Sequence, residues 1–142
     1  MIKNAKQLTV TKKRLEELKQ SLEHIRKKYI GNNKKSKFLS KGVLEHIGQL
    51  SDQIMEYDKI KYGAIPEKLH ADNLFEIRNQ IIKVRIAKGI TQVQLATKLG
   101  VPQSEISRFE REDYEGYSVR MLERILEALN TEVEVDLIPA HK

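Results

Sequence analysis

The chain has 142 residues, enough for one domain or two small ones. No apolar run reaches the length of about eighteen residues that a membrane span needs, so none is expected. The basic N-terminus is not followed by the apolar stretch of a secretory signal. The absence of cysteine excludes disulfide frameworks, thiol nucleophiles and thiolate zinc sites. These features together predict a cytoplasmic location.

The net charge of +6 is unevenly distributed along the chain. Residues 1–71 hold 16 Lys and Arg against 8 Asp and Glu, a net charge of +8. Residues 72–142 hold 10 against 12, a net charge of −2. A basic excess favours a polyanionic partner, and here that excess lies in the first half of the chain.

Two seams of apolar residues predict two long helices over residues 1–63. The first seam follows Thr11, the second follows Ser40 as a predicted N-cap, and residues 31–39 between them have the composition of a loop. One seam per helix needs a partner surface, so an antiparallel, coiled-coil-like hairpin is expected, closed on itself or packed in a dimer. The seam residues are Leu15, Leu18, Leu22, Ile25 and Tyr29, then Val43, Ile47, Leu50, Ile54 and Tyr57.

A second domain is predicted over residues 72–142, after a linker at residues 64–71 that contains Pro66. Asp72 is the expected N-cap of its first helix, and Gly89 is expected to end that helix. Ser118 is expected to cap a later helix that runs to Leu129. Apolar residues at helical spacing form the predicted inner face of each helix: Leu74, Ile77, Ile81, Val84 (or Ile82) and Ile86, then Val119, Leu122, Ile125, Leu126 and Leu129.

The segment TEVEVDLI, residues 131–138, alternates apolar and other residues and predicts a half-buried strand. A strand needs a hydrogen-bonding neighbour. One alternative is the same strand of a second subunit, which makes Val133, Val135 and Leu137 the dimerisation residues. The other is an extended segment at Leu8–Val10. The two-fold dimer is favoured because it gives each strand a partner without another element.

The stretch TQVQLATKLGVPQSEISRFE, from Thr91 to Glu110, predicts two short helices joined by a tight turn. Thr91 and Gln94 have the spacing of a capping box, and Gly100 suits a left-handed turn. In the second helix Ile106 and Phe109 face inward. Four polar side chains face outward: Gln103, Ser104, Ser107 and Arg108.

This stretch resembles the helix-turn-helix of the phage-repressor-like, or XRE, family. The resemblance runs from about Leu74 to Leu129 and implies a mainly α, lambda-repressor-like domain. It also implies that the helix from Gln103 enters the major groove of double-stranded DNA and that Arg85 and Glu110 form a structural salt bridge. The residues that carry it are Thr91-Gln92, Leu95-Ala96, Leu99-Gly100-Val101, Gln103, Ile106 and Glu110.

The resemblance also implies DNA-binding roles for individual side chains. Gln92 would contact a phosphate and brace Gln103. Gln103 has the amide groups to read adenine, and Arg108 has the guanidinium to read guanine. Ser104 and Ser107 would bond to a base or a phosphate. The alternative is that these side chains are a solvated helix face, although such a face more often carries Glu and Lys.

The loop REDYEGYS, residues 111–118, is net acidic, whereas many repressors of this type have a basic loop there. Arg111 and the hydroxyls of Tyr114 and Tyr117 are the remaining candidates for phosphate contacts. Because affinity for DNA depends strongly on phosphate neutralisation, a second basic surface is expected. Its candidates are Lys34, Lys35, Lys37 and the run Arg26-Lys27-Lys28, with a merely solvated helix end as the alternative.

The leading hypothesis is a dimeric, sequence-specific transcriptional repressor. The C-terminal half is also similar to antitoxins of the HipB and HigA kinds, so an antitoxin that binds a toxin protein and represses its own operon is the alternative. A protein–protein adaptor that binds no DNA is the third. No cofactor and no enzymatic activity are expected, and a metal site is not expected because the histidines share no ligand spacing. The four histidines are His24, His46, His70 and His141.

Overall fold

The computed structural model describes residues 1–64, 68–71 and 73–136. The chain divides into two compact units, Met1–Ala64 and Ile65–Lys142. Over the described ranges, no helix is long and apolar enough to cross a membrane. Six helices are present there: α1 Ala5–Lys28, α2 Asn33–Tyr62, α3 Leu74–Ala87, α4 Gln92–Leu99, α5 Gln103–Arg111 and α6 Val119–Ala128.

Helix α1 begins at Ala5, whereas the apolar pattern placed the first helix after Thr11. The Asn4 side chain caps it by accepting a hydrogen bond from the backbone N–H of Gln7 at 2.9 Å. Leu8–Val10 therefore lies inside a helix and is not available as an extended partner for a C-terminal strand. That alternative for the strand's neighbour was wrong.

Helix α2 begins at Asn33, so the prediction of a loop at residues 31–39 and of Ser40 as an N-cap was wrong. The Asn32 side chain supplies the cap, since its oxygen accepts from the backbone N–H of Lys35 at 3.1 Å. The residues after it carry no helix breaker, and Lys and Leu are good helix formers. Ser40 is buried within the helix.

The first unit is held together by contacts between α1 and α2, which a connection of four residues, 29–32, joins. Leu18 and Leu22 of the first predicted seam are buried, and so is Tyr57 of the second. Ile2, ahead of α1, is buried as well. The two-helix unit thus has a narrow apolar core, which suits helices that each carry one seam.

Helix α3 contributes four buried apolar side chains to the core of the second unit. Its side chains Ile81, Ile82, Val84 and Ile86 are buried, and its first turn is capped by Asn73, whose side chain accepts from the backbone N–H of Glu76 at 3.1 Å. The predicted cap Asp72 and the central part of the predicted linker, residues 65–67, lie outside the described residues.

Helices α4, α5 and α6 complete the second unit, with α4 in contact with both of the others. Leu95, Ala96 and Leu99 are buried on α4, and Ile125 and Leu129 are buried at α6. The predicted cap of α6 is confirmed, because the Ser118 hydroxyl accepts from the backbone N–H of Met121 at 3.3 Å. Val119 was expected on the inner face but is 72% exposed.

Lys88, directly after α3, and Lys98 of α4 bind the carboxyl end of α6. Lys88 Nζ lies 2.7 Å from both the Leu129 and the Asn130 carbonyl oxygens. Lys98 Nζ lies 2.9 Å from the Ala128 oxygen. The last carbonyls of a helix have no intrahelical partner and carry the negative end of the helix dipole, so these cations stabilise that end.

The predicted C-terminal strand is not seen: residues 131–136 have no regular secondary structure, and residues 137–138 lie outside the described range. No described residue forms a backbone–backbone hydrogen bond with residues 132–136. A strand exists only when a neighbour supplies such bonds, and the described part of the chain supplies none. The alternating pattern alone therefore did not produce a strand.

Candidate nucleic-acid interface

The start of α4 and the turn after it fix the position of α5. Thr91 Oγ1 accepts from the backbone N–H of Gln94 at 3.1 Å, and Gln94 Oε1 accepts from the backbone N–H of Thr91 at 2.8 Å. This confirms the predicted capping box. Gly100 has φ 69° and ψ 32°, a left-handed conformation that glycine adopts without steric cost. The prediction of a tight glycine turn is therefore also confirmed.

Helix α5 has sharply different sides. Ile106, Phe109 and Glu110 are buried. The structure places Gln103, Ser104 and Arg108 on the exposed side and leaves Ser107 half-buried. A short helix with one apolar side packed on its own domain presents the opposite side to solvent.

A buried ion pair ties α3 to α5. The Arg85 Nε donates to Glu110 Oε1, and Arg85 Nη2 donates to Glu110 Oε2 at 2.7 Å. The two residues are 3% and 0% exposed. The third guanidinium nitrogen, Nη1, donates to the Ile90 carbonyl oxygen at 2.7 Å. The planar guanidinium thus meets the carboxylate in a two-point contact that fixes the direction as well as the distance.

The hydrogen-bond chain continues from this pair to the surface. Gln92 Nε2 donates to Glu110 Oε2 at 2.8 Å, and Gln103 Nε2 donates to Gln92 Oε1 at 3.2 Å. Arg85, Glu110, Gln92 and Gln103 therefore form one connected network. The brace between Gln92 and Gln103 that the family resemblance implied is present in the structure.

The Gln92 side chain is almost wholly buried, with 9% exposure. Its amide nitrogen and oxygen are both engaged in this network. A phosphate at the start of α4 would therefore meet the backbone N–H groups of its first turn rather than this side chain. A phosphate contact at Gln92, as the resemblance implied, would therefore involve the backbone N–H group of this residue and not its side chain.

Gln103 retains free hydrogen-bonding capacity on the exposed side. One N–H of its amide is directed to Gln92, which leaves a second N–H and the amide oxygen. That donor and acceptor are the pair that adenine requires at N7 and N6. The brace therefore restricts the orientation of the amide without removing the groups that read a base.

The two arginines of α5 differ in their surroundings. Arg108 is exposed, and its guanidinium carbon lies 5.8 Å from the centre of the Phe109 ring. Arg111 is also exposed, with Nη2 at 3.8 Å from Glu112 Oε1. An exposed ion pair at that distance stabilises little, so both guanidinium groups are accessible to a partner.

The loop after α5 contains a buried tyrosine. Tyr114 is 1% exposed, and its hydroxyl has no hydrogen-bond partner among the described residues. Burial raises the pKa of this phenol well above its ordinary value, and the Glu110 carboxylate raises it further, against the opposing effect of Arg85. Tyr114 was predicted as a phosphate donor, and its burial shows that this part of the prediction was wrong.

Sequence reasoning missed how many cations of the second unit are bound within the protein. Lys88 and Lys98 bind the end of α6, and Arg124 Nη2 donates to the Leu99 carbonyl oxygen at 3.1 Å. Each partner lies 25 to 42 positions away in the chain. No local pattern signals such contacts. The number of cations free to neutralise phosphates in this unit is therefore smaller than the sequence suggests.

The geometry of α4, the Gly100 turn and α5 defines a helix-turn-helix. Residues 81–135 match a family model described as helix-turn-helix. The match supports the resemblance to the XRE type and a DNA-binding transcription regulator. No curated protein and no solved structure matches the chain. Among the residues that the structure describes, no group of three or more His, Cys, Asp or Glu side chains is arranged to hold a metal ion.

Replacing Glu110 by alanine is expected to lower the free energy of unfolding by about 3–5 kcal/mol, because it leaves the buried Arg85 charge without a partner. Replacing both Arg85 and Glu110 by methionine is expected to cost less, since no buried charge remains. Urea unfolding followed by circular dichroism measures both effects. Glu112→Ala, at an exposed position, is the control and should change stability by about 0.5 kcal/mol or less. Equal losses for Glu110→Ala and Glu112→Ala would contradict the structural role of the pair.

Tyr114→Phe is expected to raise the free energy of unfolding by about 1 kcal/mol near neutral pH, because it removes a buried hydroxyl without a partner. The folded-state pKa of Tyr114 is raised, so the wild type keeps its full stability below the unfolded-state value of about 10 and loses it as the pH rises further. Phenylalanine does not titrate, so the advantage of the variant should grow above about pH 10. Urea unfolding at neutral and alkaline pH tests this, with Tyr117→Phe as the control. A destabilised Tyr114→Phe variant would mean that the hydroxyl has a partner.

Proposed function

We propose that this chain is a sequence-specific transcriptional repressor whose helix α5 reads the major groove. The network that runs from Arg85 through Glu110 and Gln92 to Gln103 carries this proposal. It joins the buried ion pair of Arg85 and Glu110 to an exposed side chain on α5. Base readout requires side chains held in a fixed orientation before binding, because ordering them on binding costs free energy.

The exposed side of α5 supplies the chemistry for reading bases. Gln103 offers one donor and one acceptor to adenine, and the Arg108 guanidinium offers two donors to guanine O6 and N7. Ser104 and Ser107 bond to a base or a phosphate, and Arg111 reaches a phosphate. Each bidentate contact contributes about 1–3 kcal/mol of discrimination between bases.

The protein acts as a homodimer on a palindromic site, with half-sites about one helical turn apart, roughly 34 Å. Exposed apolar side chains support this: Val119 is 72% exposed, Val133 45% and Val135 56%. All three line an open groove of about 630 Å³ in the second unit. Residues 132–136 also lack backbone hydrogen bonds to any described residue. Pairing with the same segment of a second copy supplies those bonds and covers the valines, and Leu137, outside the described residues, extends the same face.

An antitoxin function is the second candidate. It keeps the DNA-binding activity and adds a toxin protein as a partner. The exposed valines of the groove support an antitoxin function, because a bound toxin would cover them as a second copy of the chain would. A small toxin reading frame in the same operon, and a stable complex between its product and this chain, would support it.

Arg108→Ala is expected to relax base preference at one position of each half-site and to weaken binding of the preferred duplex by about 1–3 kcal/mol. Selection from random duplexes followed by gel shift measures both quantities. Gln103→Ala should relax a different position. Arg120→Ala, an exposed arginine on α6, is the control and should leave the base preference unchanged. If the wild type enriches no sequence above bulk DNA at moderate salt, the chain is not a sequence-specific repressor.

Replacing Val133 and Val135 together by serine is expected to convert a dimer into a monomer, because it removes the apolar face of the paired segment. Sedimentation equilibrium of the full chain measures the mass. Glu132→Ser with Asp136→Ser changes the opposite, acidic face and should leave the dimer intact. A dimer that survives both pairs of substitutions would place the interface elsewhere, with the α1–α2 unit as the next candidate. A monomeric wild type would contradict the dimer itself.

A further inference from the structure

The end of the first unit at which α1 joins α2 is strongly basic. From His24 to Leu44 the chain carries seven Lys and Arg residues and no Asp or Glu. This set, which we call the basic tip, belongs to the last turn of α1 and the first turns of α2. Its members are Arg26, Lys27, Lys28, Lys34, Lys35, Lys37 and Lys41.

Most of the charge of the basic tip is not neutralised by the protein. Within the described part of the chain, Lys27 is the one member with a carboxylate partner, Glu23 Oε1 at 2.8 Å. That pair is exposed on both sides and contributes little. Lys34, Lys35 and Lys37 have no Asp or Glu within seven positions in the sequence, whereas Lys12, Lys13 and Lys19 of α1 each have one within four. Like charges so close together repel, so the arrangement favours binding a polyanion.

The basic tip has an ordered framework rather than a loose loop. Asn32 caps α2 through the Lys35 backbone, so the lysines that follow lie on a helix. The Tyr29 ring lies beneath two of the cations, with Lys35 Nζ at 5.0 Å and Lys28 Nζ at 5.9 Å from its centre. Cation–π contacts at these distances keep both charges at the tip. A preorganised set of charges loses less entropy on binding.

The second unit lacks a comparable cluster of cations that the protein leaves available for phosphates. The half of the chain that carries α5 has a net charge of −2. Three of its cations, Lys88, Lys98 and Arg124, bind carbonyl oxygens of their own domain, and Arg85 is buried against Glu110. Since phosphate neutralisation supplies most of the sequence-independent affinity for DNA, a DNA complex of this chain needs cations from another surface.

We propose that the basic tip is a second DNA-binding site, which contacts backbone phosphates of duplex DNA without reading sequence. This inference rests on the proposed function, because it takes the ligand of α5 as the source of the phosphates. Charge complementarity selects the occupant. Helix α2 has 30 residues and is roughly 45 Å long, so the tip lies far from the end of α2 that leads to the second unit.

Replacing Lys34, Lys35 and Lys37 together by glutamine in the full chain is expected to lower the salt dependence of binding to a random-sequence duplex. Each lost phosphate contact reduces the slope of log K against log salt by about 0.9, so the slope should fall by about 2 to 2.7. Between about 50 and 200 mM salt the wild type should then lose about 15- to 40-fold more affinity than the variant. Fluorescence anisotropy with a labelled duplex measures both slopes. The base preference should not change.

A matched variant controls for net charge. Lys12, Lys13 and Lys19 are exposed lysines of α1 outside the tip, and their replacement by glutamine removes the same charge. The proposal requires that this variant keep a slope closer to the wild type than to the tip variant. Equal slopes for the tip variant and the wild type, or equal reductions for both triple variants, would overturn it.

A lipid surface is the rival occupant, because Ile30 and Phe38 at the tip are 83% and 81% exposed. Anionic membranes take up such apolar side chains beside basic ones. Phe38→Ser should leave the salt slope on duplex DNA unchanged. Tip- and Phe38-dependent binding to phosphatidylcholine–phosphatidylserine vesicles, with no effect of the lysine substitutions on DNA, would assign the tip to a membrane and overturn the proposal.

The experiment separates this inference from the proposed function. If no sequence is enriched by the wild type but the tip lysines control the salt slope, the repressor proposal fails and the phosphate-binding tip stands. If a sequence is enriched and depends on Arg108, while the tip variant binds with the wild-type slope, the repressor proposal stands and the tip proposal fails.

Discussion

The two-point contact between Arg85 and Glu110 is the constraint on which the recognition surface depends. Removing a guanidinium and a carboxylate from water is costly, and good geometry is needed to offset that cost. The contact therefore permits few arrangements of α3 against α5. Gln92 and Gln103 continue it to the surface. A network that satisfies its buried polar groups favours one orientation of α5, and a single orientation is what a groove-reading helix needs.

Several cations of the second unit bind carbonyl oxygens within the unit, which leaves fewer of them for DNA phosphates. Helix α6 ends within the unit, and Lys88 and Lys98 bind its last carbonyls. Arg124 binds the end of α4 through the Leu99 oxygen. These side chains give a small domain with a limited core additional links between helices, and small domains bury a smaller share of their surface on folding. Stability and phosphate binding thus compete for the same residue types.

The sequence predicted local features that depend on near neighbours. The capping box at Thr91 and the left-handed Gly100 follow from spacing within a few residues, and both are present. The sequence-based prediction was wrong where two residues could each cap the same helix. Asn32 rather than Ser40 caps α2, because capping residues recur along the chain and the intervening residues tolerate a helix. It also failed at residues 131–136, since a strand depends on a neighbour that the alternating pattern does not specify.

Burial of Tyr114 shows a further limit of sequence reasoning and sharpens the division of roles between the units. A tyrosine in an acidic, glycine-containing loop is expected to be an exposed hydrogen-bond donor. The centre of the Tyr114 ring instead lies 6.3 Å from the centre of the Phe109 ring, and the Tyr114 hydroxyl is buried. One side chain of this loop is thus part of the core, while Glu112, Asp113 and Glu115 beside it are exposed. Phosphate contacts position a protein on DNA, whereas base contacts specify the site. In the proposed DNA complex, base readout lies on α5 and the positive charge is concentrated in the first unit, so specificity and affinity would reside in different parts of the chain. Arg108 and the basic tip lie outside the network that orients α5, so both can be substituted without disturbing it, whereas Gln103 belongs to that network.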